Sequence, residues 1–262
     1  MLKTRVIPLL LIQDGLLKKP VQFKNPRTVS DPISVVRVFE ERQVDELILL
    51  DIGQTVDDDD DIDPYLIERI AEELYVPFAY GGGIRNVEEI RTIVQAGAEK
   101  VIINTAAVET PELISKGAEQ FGSQCISVSI DALFNGSFYE VYTRSGTNAT
   151  GIEVVNYSKS LVERGAGEIL INSIEHDGML GGYNIQLINA VTKAVSIPVI
   201  AAGGAATPQH FVDAVEMGGA SAVAAGSIFH YSRITPNMIK GALVNAGIAV
   251  RKYENVDYRV NW

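Results

Sequence analysis

The sequence predicts an α/β fold, a closed (β/α)8 TIM barrel with an internal two-fold duplication of half-barrels. Three observations predict it. Residues 76–84 (VPFAYGGGI) return as residues 197–205 (IPVIAAGGA), and residues 96–105 (AGAEKVIINT) return as residues 217–226 (MGGASAVAAG), displaced by the same number of positions. Each copy is an apolar run that ends in glycine or small polar residues beside an amphipathic stretch. A half-length duplication of such strand–helix units points to eight units in a closed ring. The length of 262 residues suits one such barrel, and no composition shift marks a second domain, so residues 1–262 are expected to form a single domain.

Taken in order, the predicted strands are residues 5–12, 46–51, 77–80, 100–104, 124–131, 168–172, 198–202 and 221–225. Most are short and rich in Val, Ile and Leu without clean alternation, as strands covered on both faces are. Helical patterns separate them. In the clearest, residues 86–96, Asn86 is positioned as an N-cap and Gly97 as the residue that ends the helix. Another begins at Pro64 and runs through Ala71.

The formal net charge of −11 argues against general nucleic-acid binding and against anionic membranes. It leaves anionic small molecules open, because backbone N–H groups hold phosphates without lysine. No run of 18 apolar residues suggests a membrane span, and the first five residues lead straight into a strand. The single Cys125 has no internal disulfide partner and reads as a small buried hydrophobe. Together these features point to a reducing cytoplasm. Asp57 to Asp61 and Asp63 read as a solvated loop feeding charge to a helix N-terminus, with a magnesium or substrate-gating role as the alternative. His176, His210 and His230 have no zinc-site spacing, so neither metal nor cofactor is expected.

Active sites of such barrels lie at the C-terminal ends of the strands. The residues expected there are Asp14-Gly15, Asp51, Gly81-Gly82-Gly83, Asn104-Thr105, Asp131, Asn172-Ser173, Asp177-Gly178, Gly203-Gly204 and Gly226-Ser227. Gly82-Gly83 with Asn104-Thr105, and Gly203-Gly204 with Gly226-Ser227, form the same device twice. Glycines admit a phosphate to the backbone, and the next helix start points N–H groups at it. Cradles in opposite halves suggest a long ligand with a phosphate, or a similar polar group, at each end. Asp131, near the centre of that face, is then the leading candidate for acid–base work. Lys19, after strand 1, reads either as a lysine closing over the anion or as solvated surface.

The chain resembles HisF, the cyclase subunit of imidazole glycerol phosphate synthase. The resemblance rests on Arg5-Val6-Ile7-Pro8, Asp45-Glu46-Leu47, Leu50-Asp51-Ile52, Gly81-Gly82-Gly83-Ile84, Asn104-Thr105-Ala106-Ala107-Val108, Phe121-Gly122-Ser123-Gln124, Ile130-Asp131-Ala132 and Arg164-Gly165-Ala166-Gly167-Glu168. It implies a glutaminase docked on the bottom face and ammonia passing up the barrel to a bis-phosphorylated ribulosyl aminoimidazole nucleotide. It maps a charged channel gate onto Arg5, Glu46, Lys100 and Glu168, each at the start of a predicted strand. It also implies a pair of aspartates for ring closure, of which Asp131 matches one. The other position holds Leu11, which carries no proton.

The pattern Arg5-Val6-Ile7-Pro8-Leu9-Leu10-Leu11 further resembles a branch of HisF paralogues associated with acetamidino modification of surface polysaccharides. That likeness implies a barrel that passes ammonia, with a glutaminase, to an ATP-dependent amidotransferase acting on a nucleotide-linked sugar. Ammonia delivery for sugar amidation is the leading expectation. A histidine-pathway cyclase that tolerates Leu11 is the alternative, and a non-catalytic scaffold binding a phosphorylated ligand is the second.

Overall fold

The computed structural model describes residues 3–54 and 62–251; residues 57–61 and the tail at 253–262 lie outside the described residues. The first half forms β1 (Arg5–Gln13), β2 (Leu16–Val21), β3 (Lys24–Ser30), α1 (Pro32–Glu41), β4 (Leu47–Asp51) and α2 (Pro64–Ala71). It continues with β5 (Phe78–Gly81), α3 (Val87–Gln95), β6 (Lys100–Ile103), α4 (Thr105–Glu109) and α5 (Glu112–Phe121). The second half forms β7 (Ile126–Phe134), β8 (Tyr139–Thr143), β9 (Asn148–Glu153), α6 (Val154–Glu163), β10 (Glu168–Ser173) and α7 (Ile185–Thr192). It ends with β11 (Val199–Ala202), α8 (Pro208–Glu216), β12 (Ala222–Ala225), α9 (Ser227–Tyr231) and α10 (Pro236–Asn245).

Eight strands pair in parallel in the order β1-β4-β5-β6-β7-β10-β11-β12, and β12 returns to β1 through Arg5–Ala222 to Pro8–Ala225. The ring is therefore closed, as the duplication implies. Two apolar layers hold it. One lies between strands and helices and includes Val6, Leu47, Phe78, Val101, Val128, Ile169, Val199 and Val223. The other fills the lumen with Ile7, Leu9, Ile48, Ala79, Ile102, Leu170, Ile200, Ala222 and Ala224. Burial on both faces is why these strands read as solid apolar runs.

Helix starts follow local chemistry. The side chains of Asp31, Asp63 and Thr235 cap α1, α2 and α10, each with proline in the first turn. Asn86 and Glu89 form a reciprocal capping box on α3, and Gly97 ends it at φ +106°.

Two differences from the sequence reading matter for the site. β2–β3 and β8–β9 are antiparallel hairpins that extend β1 and β7 above the barrel rim. Asp14-Gly15 is therefore a two-residue hairpin turn, both residues at positive φ, rather than a pair on the active face. The fifth barrel strand starts at Ile126, after a short 3-10 turn at Ser123–Cys125, and runs on to Phe134. Asp131 consequently sits within it rather than at its end.

At the bottom, Asp45 ties the last helix to the strand mouths. Its carboxylate accepts from Val6 N at 2.8 Å and from Lys240 Nζ at 2.8 Å, and Lys240 also donates to the Gln43 carbonyl at 2.7 Å. Both charges are fully buried. Removing one member of such a pair strands the other. Lys240→Met is expected to lower stability by about 3–5 kcal/mol in urea unfolding, and Asp45→Asn combined with it should recover part of that loss.

Candidate functional site, a cavity at the strand ends above a ring of charges

The top face holds a cavity of about 320 Å³ in the barrel mouth. Its walls include Leu11, Asp51, Gly82, Gly83, Asn104, Thr105, Asp131, Asn172 and Asp177. A narrow slot beside it, lined by Lys19, Asp177, Gly178, Gly203, Gly204, Gly226 and Ser227, holds only about 10 Å³. The two glycine cradles thus fall in separate hollows, with Leu9 and Asp177 lining both.

Gly82 and Gly203 are forced. Gly82 has φ +125°, and a Cβ there would lie 2.3 Å from the Asp51 carbonyl. Gly203 has φ +87°, and its Cβ would lie 2.4 Å from Asn172 Oδ1. Any side chain at either position would strike these neighbours and strain the backbone.

Asp131 is buried, and Asn104 Nδ2 donates to its carboxylate at 3.1 Å and to the Ser129 carbonyl at 3.0 Å. Burial, reinforced by the Asp177 carboxylate, lifts Asp131 from an ordinary 3.8 to about 7, against the Asn104 hydrogen bond that pulls it down. A carboxyl poised there can give or take a proton near neutral pH. Leu11 is half-buried on the same cavity wall and gives it an apolar surface. Asp51 caps its own loop by accepting from Gly53 N at 2.9 Å and Gln54 N at 3.3 Å, and burial raises it above the usual carboxylate range.

Lys19 is neither loop nor solvated surface. It lies on β2, 5% exposed, with Nζ 3.1 Å from Asp177 Oδ1. Burial raises Asp177, while Lys19 draws it back down. The slot is therefore filled by the chain's own ion pair. Ser173 reaches neither hollow; its hydroxyl meets His176 Nδ1 at 2.9 Å. Arg144 and Ser145, on the β8–β9 turn, reach the cavity and were not singled out from sequence, nor were Gln13, Phe23 and Gln54. The turn Ser145-Gly146 between the alternating segments at 139–143 and 148–153 carried the hairpin signal. Thr105 is committed locally, its hydroxyl accepting from Arg144 N at 3.1 Å.

At the opposite end, Arg5, Glu46, Lys100 and Glu168 form a closed ring. Arg5 pairs with both glutamates, and Lys100 Nζ lies 2.9 Å from each. The glutamates are buried and the cations about one-fifth exposed. Burial acts to lower Arg5, but Glu168 and Glu46 outweigh it and hold the guanidinium above its ordinary value. The apolar lumen stands directly between this ring and the cavity.

A parallel eight-stranded barrel with a charge ring across one mouth and a glycine-walled acidic cavity at the other defines a (β/α)8 protein with polar groups gathered at both ends. The model of the family described as "Histidine biosynthesis protein" matches residues 5–235, and the chain belongs to that family. The chain is 46% identical to imidazole glycerol phosphate synthase subunit HisF of Thermococcus onnurineus over 251 residues, 96% of this chain and 99% of that one. It is 47% identical to the Pyrococcus furiosus subunit over the same shares, and 46% identical to the Caulobacter vibrioides subunit over 96% of this chain and 97% of that one. Among the described residues, no helix is long and apolar enough to cross a membrane.

The raised Asp131 sets a pH signature. Between about pH 4 and pH 7 the folded chain keeps a proton that the unfolded chain has released, so this residue's contribution to stability falls as pH rises through that window. Asp131→Asn is expected to flatten that slope in urea unfolding measured across this range, and an unchanged slope would refute the assignment.

Proposed function

We propose that this chain, as one barrel domain, is the ammonia-receiving subunit of a glutamine-dependent synthase. The observation that carries the reading is the closed ring of Arg5, Glu46, Lys100 and Glu168 across the bottom mouth, with a largely apolar lumen between it and the cavity that holds Asp131. Four charges in an apolar bundle stabilise less than well-packed apolar residues would, which favours a conducting role over a merely structural one. A glutaminase docks on this bottom face, and ammonia passes the ring and climbs the lumen. The top cavity takes a small phosphorylated ligand, with Gly82, Gly83, Asn104 and Thr105 at one end. Gly203, Gly204, Gly226 and Ser227 hold its other end when Lys19 turns from Asp177 to the anion.

The names and identities of the HisF relatives support imidazole glycerol phosphate synthase as the reaction, with the ribulosyl aminoimidazole nucleotide as ligand and Asp131 as the acid–base group. Asn172 and Asp177 line the reacting end. One observation favours a second reading. Leu11 removes the other titratable group of the ring-closing pair while the charge ring stays whole, which suits ammonia delivery to a separate amidotransferase that converts an N-acetyl group on a nucleotide-linked sugar to an acetamidine.

Ammonium salt with the ribulosyl aminoimidazole nucleotide separates them. The cyclase reading expects loss of nucleotide absorbance, raised only modestly by Leu11→Asp. An idle chain that Leu11→Asp activates by about 10²–10⁴-fold, the worth of a general acid or base, assigns the chain to the second reading. In complex with the glutaminase, Lys100→Ala is expected to let glutamine hydrolysis continue while nitrogen transfer falls. Intact coupling in that variant would remove the ring from the conduction path.

A further inference from the structure

β7 carries an alternation unlike that of the other barrel strands. Ile126, Val128, Ile130 and Ala132 belong to the layer beneath the helices, so Ser127, Ser129 and Asp131 face the lumen. In register with β10, Ser127 stands beside the ring's Glu168, Ser129 beside Leu170, and Asp131 beside Asn172. One polar column thus runs from the charge ring to the cavity, where Ser129, Asp131 and Asn172 form part of the wall. The remaining lumen is hydrocarbon, with Ile7, Ile48, Ala79, Ile200, Ala222 and Ala224 at comparable depth.

Ser127 is 1% exposed, and its hydroxyl oxygen has no hydrogen-bond partner in the protein. Asn172 Oδ1, at the top of the column, is buried and likewise unpaired. A stranded buried hydroxyl costs about 1–3 kcal/mol, so packing alone would favour alanine or valine at position 127. Strand alternation turns the Ser127 hydroxyl into the lumen, while Asn172 Oδ1 lies at the Gly203 edge of the cavity wall, and both can bond a small neutral molecule. Ammonia offers three donors and one lone pair. Same-face residues on a strand are about 6.6 Å apart, so a molecule leaving one hydroxyl soon meets the next. An ammonium ion stripped of water would cost far more than neutral ammonia, which suits a column of hydroxyls rather than carboxylates.

We propose that Ser127 and Ser129 form a hydroxyl track that hands ammonia from the charge ring to the Asp131–Asn172 end of the cavity. Both are positioning residues, and the proposal rests on the ammonia-receiving function above. The test uses the full chain in complex with its glutaminase and compares product formation driven by glutamine with that driven by ammonium salt, which bypasses the lumen. The acceptor is the ribulosyl aminoimidazole nucleotide or, if the chain is idle on it, the nucleotide-linked N-acetyl sugar with its amidotransferase and ATP. Ser127→Ala is expected to lower the glutamine-to-ammonium ratio about tenfold, the equivalent of one buried hydrogen bond, while Ser127→Thr, which keeps the hydroxyl, holds it within about twofold. A structural role would lower both rates together and leave the ratio alone. An unchanged ratio in Ser127→Ala overturns the track while leaving conduction standing. An unsubstituted complex that never transfers glutamine nitrogen overturns the conduction reading and the track with it.

Discussion

Closing eight parallel strands sends alternate side chains of each strand into a lumen buried from solvent, and everything at the two mouths depends on how that interior is filled. In the middle the answer is hydrocarbon from Ile7, Ile48, Ile200 and the alanines of β12, broken by Ser127 and Ser129 of β7. At the bottom the inward positions are Arg5, Glu46, Lys100 and Glu168, which satisfy one another by alternating in sign around the ring. No member of that ring is separable from the others. A buried carboxylate without its cations would be an uncompensated charge in a low-dielectric bundle. The buried Asp45–Lys240 pair applies the same rule one shell outward and fixes the last helix against the first strand.

The same low dielectric shapes the top. Asp131 sits near the upper limit of the lumen, and burial there moves its ionisation toward neutrality. Burial raises Asp177 as well, but Lys19 stands against it and draws it back down. The two halves of the duplication have diverged along this line. The first half's Gly82-Gly83 opens on the wide cavity, and the second half's Gly203-Gly204 on a slot closed by the Lys19–Asp177 pair, which joins the two halves.

Much of this was legible in the sequence. The barrel strands declared themselves because strands covered on both faces become uninterrupted apolar runs, and the ring, which the family resemblance implied, went to the bottom because its members stand at strand starts. The rim hairpins were hidden: Lys18, Lys19 and Pro20 look like a solvated loop, although Lys19 is buried by its pairing with Asp177, a partner far away in the chain. Arg144 was missed for the same reason, since only the β8–β9 pairing brings it over the cavity. Ser127 and Ser129 were lost inside a stretch that reads as apolar. Alternation there has the usual meaning of two unlike faces, but the polar face is turned to the barrel interior instead of to water.

The run of β7 past the rim separates what stays fixed from what can vary. At Asp131 the strand is paired on one edge with Asn172 of β10 and on the other with Tyr142 of β8. Asp131 therefore belongs to the sheet, while the cavity's outer walls belong to turns around Phe23, Gln54 and Arg144. Such turns tolerate replacement far better than a ladder does. A lineage can exchange the rim and with it the molecule admitted, while the acid beneath keeps its place and its ionisation. Inheritance of the scaffold and drift of its substrate are then governed by different parts of the chain.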